Sequence, residues 1–231
     1  MLEQSAASRR YQSELFIAVL DKLPIIAIIK CPELQDRAKT FLHQAFTNWG
    51  LNLPTTRDLH FVTRLTTFDA LVRNAMILGI PLEQLETEGN NSPFHFQGPQ
   101  PAGDQQKLPP SLRPSQLQQR NPHHCWVDLF PIPILRDNIL LAVAKGESDE
   151  DQLCDALCHD LFDFESGTKA SVLVWGESWD DGGWEFTPRF LKKWGTLMQR
   201  CPEILQTADH LRESRSESSL DYLSTGHNNV K

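Results

Sequence analysis

The stretch from Asp160 to Gly195, DLFDFESGTKASVLVWGESWDDGGWEFTPRFLKKWG, holds Trp175, Trp179, Trp184 and Trp194, four of the six tryptophans in the chain. Glycines and acids punctuate it, and Thr187-Pro188 then opens an amphipathic helix with Phe190, Leu191, Trp194, Leu197 and Met198 on one face. The segment is too aromatic for a linker and too rich in turns for a coiled coil. It is expected to be the core of a folded unit, with Ser171–Trp175 as its one good strand.

The rest of the chain reads mainly as helix. At 231 residues, with 40% hydrophobic and 23% charged, it has the size and composition of one globular domain or two small lobes. Leu15, Phe16, Val19, Leu20 and Leu23 recur at helical spacing until Pro24. Asp21, Lys22 and Pro24 interrupt the apolar run Leu15–Ile29, which reads as a core helix and not as a signal peptide or membrane span. A helix is predicted to start at Pro32 and stop near Gly50, with Leu34, Ala38, Phe41, Leu42, Ala45 and Trp49 on its apolar face. Another runs from about Thr56 to Leu78, with Phe61, Leu65, Phe68, Leu71, Val72, Ala75 and Met76 inward, closed by Gly79 and Pro81.

From Glu86 to Pro122 seven prolines and seven glutamines crowd the chain and hydrophobic periodicity is lost. A linker or long loop is expected there. The division that follows is a helical N-terminal lobe at 10–85, this Pro/Gln-rich segment at 86–122, a smaller Trp-rich, mostly helical lobe at 123–212 and a polar tail at 213–231. Within the second lobe, Pro131 and Pro133 are expected to block regular helix before Arg136, which can then run helically to Ala144. Asp149-Glu150-Asp151 favours the start of a helix carrying Leu153, Leu157 and Leu161. Cys201-Pro202-Glu203 starts another, to about Arg212.

No reaction announces itself. Against 22 Lys+Arg stand 30 Asp+Glu, a net charge of -8, and no basic cluster offsets the repulsion from a phosphate backbone. Five cysteines in no disulfide spacing favour a reducing compartment, so secretion is not expected. Cys154 and Cys158 could share a helical face with His123, His124 and Cys125 nearby, but repeated close cysteine pairs are missing and packing is the simpler reading. Cys158 beside His159 is poorly placed for proton transfer, since adjacent helical residues diverge by about 100°. The Gly-x-Ser-x-Gly elbow, the phosphate loop and the dinucleotide fingerprint do not occur. Neither a catalytic residue nor a cofactor or metal is therefore assigned. Asp128, Arg136 and Asp137 lie among large apolar neighbours and are expected to form partly buried, structural ion pairs. The tryptophans read as core before they read as a ligand platform.

A family does announce itself. His124, Trp126, Asp128, Leu129, Pro131 and Pro133, followed by Arg136, Asp137 and Asn138, resemble a His-x-Trp-x-Asp-Leu-x-Pro-x-Pro…Arg-Asp-Asn pattern. Trp175, Glu177, Trp179 and Asp180, then Trp184 to Trp194, match its Trp-Gly-Glu-x-Trp-Asp and Trp-Glu-x-Thr-Pro-x-Phe-Leu-x-Lys-Trp-Gly patterns. Together they are similar to the C-terminal domain of unknown function of fungal basic leucine-zipper transcription factors, and Leu23-Pro24 and Lys30–Leu34 extend the likeness. The resemblance implies a transcription-related regulatory or protein-interaction module in the nucleus, otherwise in the cytoplasm, partnered by transcription factors or co-regulators. Ala6–Arg10 only faintly echoes a basic contact helix, and no dense basic run or zipper occurs. Either such a region lies upstream or the chain acts through partners. The alternative is a small-molecule-binding or enzymatic domain using the Trp-lined lobe.

Overall fold

The computed structural model describes residues 32–51, 56–85, 91–96, 105–158, 160, 169–214, 217–218 and 220. The expected helix at Leu15–Leu23, the Ala6–Arg10 echo, Leu161, His159 and most of the polar tail lie outside them. Among the described residues eight α-helices surround a single two-stranded sheet, so the fold is mainly α.

Proline writes much of the helix pattern, because a residue without an N–H loses nothing in the first helical turn. Helices α1 (Pro32–Gly50), α5 (Pro133–Ala144), α7 (Pro188–Trp194) and α8 (Pro202–Ser214) all begin on one. Pro133 therefore starts α5 three residues earlier than expected instead of delaying it to Arg136. Helix α2 spans Thr56–Leu78 and ends at Gly79, whose φ of 68° is the left-handed conformation glycine adopts at little cost. The short α3 (Leu82–Leu85) follows. Asp149 caps α6 (Glu150–Leu157) by accepting the Gln152 N–H at 2.9 Å.

Part of the Pro/Gln-rich stretch folds onto the body. Ser92 N–H donates to the His123 carbonyl at 2.8 Å, and Phe94 and Leu112 are buried. Ser115 and Gln118 form a capping box at the start of α4 (Gln116–Arg120), each side chain closing the other's backbone N–H.

Strand β1 (Val172–Val174) pairs antiparallel with β2 (Trp184–Phe186), Val174 opposite Trp184 and Val172 opposite Phe186. β2 was not foreseen, because its three residues follow a Gly-Gly turn and carry no alternation long enough to read. Helix α2 packs on β1, and α8 packs on β2. The hairpin is thus sealed from both sides, which is why all six strand residues are buried.

A single cluster of buried side chains runs from Ala70 and Ala75 of α2 through Trp126, Phe130, Leu135 and Ile139 to Trp184, Phe190 and Ile204. The N-terminal and C-terminal helices share this core. Phe130 stands edge-on to Trp126 at 6.1 Å and to Trp184 at 5.5 Å between centroids, near the favoured geometry of aromatic pairs. Met76 is a correction: it is 61% exposed. The buried stripe of α2 is rotated away from it toward Thr63, Thr67 and Asn74, whose polar side chains find partners inside. Thr67 Oγ1 donates to the Val172 carbonyl at 3.2 Å, and Asn74 Nδ2 donates to those of Leu129 and Ser178 at 2.8 Å each.

Trp184 is fully buried and bonds the Ser178 carbonyl through Nε1 at 3.1 Å. Trp184→Ala should lower the unfolding free energy by about 3–5 kcal/mol, read from urea denaturation; a loss well below 1 kcal/mol on the same scale would show that the hairpin is not part of the common core.

Candidate functional site

The motif residues converge first on a buried relay of charge. The single-turn 3-10 segment Cys125–Leu129 is entered from His124, whose Nδ1 accepts the Trp126 N–H at 3.4 Å. Its Asp128 is 1% exposed, and Oδ1 accepts from Gln118 Nε2 and from His123 Nε2, the latter at 3.0 Å. The second His123 nitrogen, Nδ1, lies 2.7 Å from the Asn121 carbonyl. Two acceptors facing one imidazole favour a proton on each nitrogen, and so favour the imidazolium form. Burial pushes the His123 pKa down, but the hydrogen bond and charge of Asp128, the Asn121 carbonyl and Glu150 outweigh it and the net shift is upward.

Arg136 of α5 is fully buried. Its Nε donates to Gln118 Oε1 at 3.0 Å, Nη1 to the carbonyls of Ser111 and Phe130 at 2.8 and 2.6 Å, and Nη2 to that of Arg113 at 2.7 Å. Burial lowers its pKa to about 10 despite the charges of Asp128 and Asp137, which leaves it a cation at neutral pH. The expected ion pair between Asp128 and Arg136 is not direct: the Gln118 amide stands between them, giving to the carboxylate and accepting from the guanidinium. An uncharged relay lets two opposite charges stay apart while Asp128 Oδ1 and the guanidinium both bond fixed partners; Asp128 Oδ2 is buried without one among the described residues. Asp137 is half-buried and accepts from Ser115 Oγ, the same hydroxyl that caps α4. Asn138 Nδ2 donates to the carbonyls of Leu197 and Gln199 at 2.8 and 2.7 Å, tying α5 to the segment after α7.

The remaining motif residues divide. Trp126, Trp184 and Trp194 are buried, whereas Trp175 and Trp179 are 40% and 39% exposed on the loop between the strands. Trp175 Nε1 donates at 2.8 Å to Oε2 of Glu185, which is fully buried and has Arg212 Nη1 of α8 at 3.8 Å from its other oxygen. Asp180 accepts the Gly182 N–H at 3.1 Å and shapes the turn, and the Glu177 side chain is exposed, on the side of Arg73. Trp194 is covered by the Lys193 ammonium 4.5 Å from the ring centroid, away from the relay. Sequence reasoning missed Gln118, Asn74 and Glu185, and also Arg64, which is 1% exposed and meets Asp160 Oδ2 at 3.6 Å; it weighed His123 only as a ligand beside the cysteines, not as the partner of Asp128. Only Gln118 carried a local signal, the Ser-x-x-Gln box hidden among prolines.

Among the described residues no three His, Cys, Asp or Glu side chains come together to hold an ion. Burial, then the charge of Asp128, drives Cys125 up to about 12, and burial drives Cys201 up to about 11. Cys154 is lowered, because the Cys158 thiol donates to it. Two clefts remain. One of about 400 Å³ lies beside α6 and α7 at Asp160, Arg189 and Trp194, and one of about 330 Å³ lies between α4 and α5 at Asp137 and Asn138. No described helix is long and apolar enough to cross a membrane.

Residues 92–205 match the family described as a domain of unknown function, DUF3425. No curated protein and no solved structure matches the chain. The matched span contains the whole relay and the hairpin but neither α1 nor α2, and only the first residues of α8.

Two outcomes follow from these environments. A folded-state pKa above the ordinary 6.5 means that His123 stabilises fully below that value and that its contribution is lost as pH rises through the folded value. The stability margin of wild type over His123→Gln should therefore be larger near about pH 5.5 than near about pH 8.5; urea unfolding at both would show an equal margin if the ring were neutral throughout. Iodoacetamide applied to the native chain should modify Cys154 ahead of Cys125 and Cys201, followed by mass spectrometry of the peptides. Labelling of Cys125 first would contradict its burial.

Proposed function

We propose that the chain is a transcription-related regulatory module that works by contact with other proteins, of the kind found at the C-terminus of fungal basic leucine-zipper factors, with no reaction and no DNA-binding element of its own. It is proposed to act in the nucleus, alongside transcription factors or co-regulators. The observation that carries this reading is the fate of the motif. Asp128, Arg136 and His123, the groups best suited to acid–base chemistry, are each less than 5% exposed (1%, 0% and 4%) and bonded to protein partners, so they build a scaffold and leave recognition to its surface. The DUF3425 match over 92–205 supports the family resemblance, and the net charge of -8 is unfavourable for a DNA backbone.

A metabolite site among the tryptophans would need open indole faces. Trp126 and Trp184 instead pack edge-on against Phe130, which leaves the part-exposed Trp175 and Trp179 of the strand loop to carry that alternative.

The test is affinity co-purification of the intact chain from fungal nuclear extract, tagged in turn at either end, with duplex DNA binding measured in parallel. Recovery of transcription factors or co-regulators, without a sequence-selective DNA shift at physiological salt, is the expected result. Recovery of none with folded protein in both orientations, or a tight selective shift, would remove the proposal.

A further inference from the structure

We propose that the groove between α4 and α5 receives a short acidic, amphipathic helix of a partner protein. This deepens the protein-contact reading above and rests on it. The groove encloses about 330 Å³, walled by Leu117 and Arg120 of α4, by Ile134, Asn138 and Leu141 of α5, and by Arg200. Ile134, Asn138 and Leu141 follow one another at i, i+4 and i+7 on one helical face, and the two aliphatic residues are 38% and 43% exposed. An apolar strip of that length between helices is the shape into which an amphipathic helix lays successive side chains.

Charge selects the occupant. Arg120 and Arg200 are exposed at the margins of the groove, and neither makes an ion pair among the described residues. In a chain of net charge -8, two exposed guanidiniums outnumber the one carboxylate of this lining, Asp137, and so complement an acid-rich segment and disfavour a basic one. Asp137, the acidic residue of the lining, already accepts the Ser115 hydroxyl.

The backbone points the same way. Arg200 has φ 65°, the one non-glycine residue among those described in the left-handed region, where a Cβ is strained. Such strain persists only where surrounding bonds fix it. Here Asn138 fixes it, by bonding the carbonyls of Leu197 and Gln199 immediately before the strained residue. Glycine would adopt this φ at lower cost, and it would leave the groove without its second cation.

The experiment is selection of a random peptide display library on the intact chain, then anisotropy titration of fluorescein-labelled copies of the selected peptides. Selected peptides should combine Asp or Glu with bulky apolar residues at helical spacing, and should bind more weakly as salt rises. Arg120→Glu with Arg200→Glu should weaken binding roughly tenfold or more, as should Leu141→Ser, while Lys145→Glu leaves it unchanged. Arg200→Gly separates binding from folding: it should raise the melting temperature by relieving the backbone while still weakening the peptide. Basic or neutral selected peptides, no selection at all, or full affinity of acidic peptides for the double variant would overturn the inference. If the double variant still co-purifies with the wild-type partners, the groove is wrong and the protein-contact reading stands; if the wild type recovers no partner, that reading itself fails.

Discussion

The fully buried guanidinium of Arg136 is the constraint around which the C-terminal half is arranged. A cation withdrawn from water needs a partner for nearly every N–H, because an unpaired one costs more than most single contacts contribute. Four bonds meet that need, to Ser111, Arg113, Gln118 and Phe130, and three of those residues lie in a stretch with little apolar content to hold it down. One side chain on α5 thereby pins a proline-rich strap to the body. Replacing a buried charge set by apolar residues often leaves stability unchanged. What Arg136 contributes is a defined path for the strap, since carbonyls at three places must point at one guanidinium.

The same need explains which parts of the fold could be read from sequence. Helix starts at Pro32, Pro188 and Pro202 were legible because their cause is local, a proline where an N–H is dispensable. The helical class and α2, whose ends coincide with Thr56 and Leu78, were legible for the same reason. The path of residues 111–118 was not: a guanidinium later in the chain fixes it, and no periodicity within the strap reports it. Asp128, Arg136 and Asp137 stood out as charges among apolar neighbours, yet their arrangement depended on Gln118 and Ser115, polar residues of ordinary appearance in a glutamine-rich run. β2 was hidden likewise, since three residues show no alternation and its pairing with β1 is long-range.

The span matched to DUF3425, 92–205, holds most of the common core but not all of it. Asn74 of α2 reaches in to bond the carbonyls of Leu129 and Ser178, one beside the relay and one in the loop after β1. From the other end, Arg212 of α8 approaches Glu185, a buried carboxylate that also accepts the Trp175 indole N–H. The folding unit is therefore wider than the recurring sequence pattern. The relay, where many bonds meet, lies inside the matched span, while helices that help close the core lie at or beyond its ends.

That distribution bears on how a pattern can govern recognition without touching a partner. Asp128 and Arg136 have no surface to offer, but their bonds set where α4 lies against α5. Asn138 spends its amide on two carbonyls, and so decides the backbone angle at Arg200 one residue later. Asp137 holds Ser115, which caps the helix that presents Leu117 and Arg120. Asp137 and Asn138 thus each act on an exposed arginine through one intervening segment. A surface built this way can change its outward side chains while its geometry is kept, because geometry and contact are assigned to different residues.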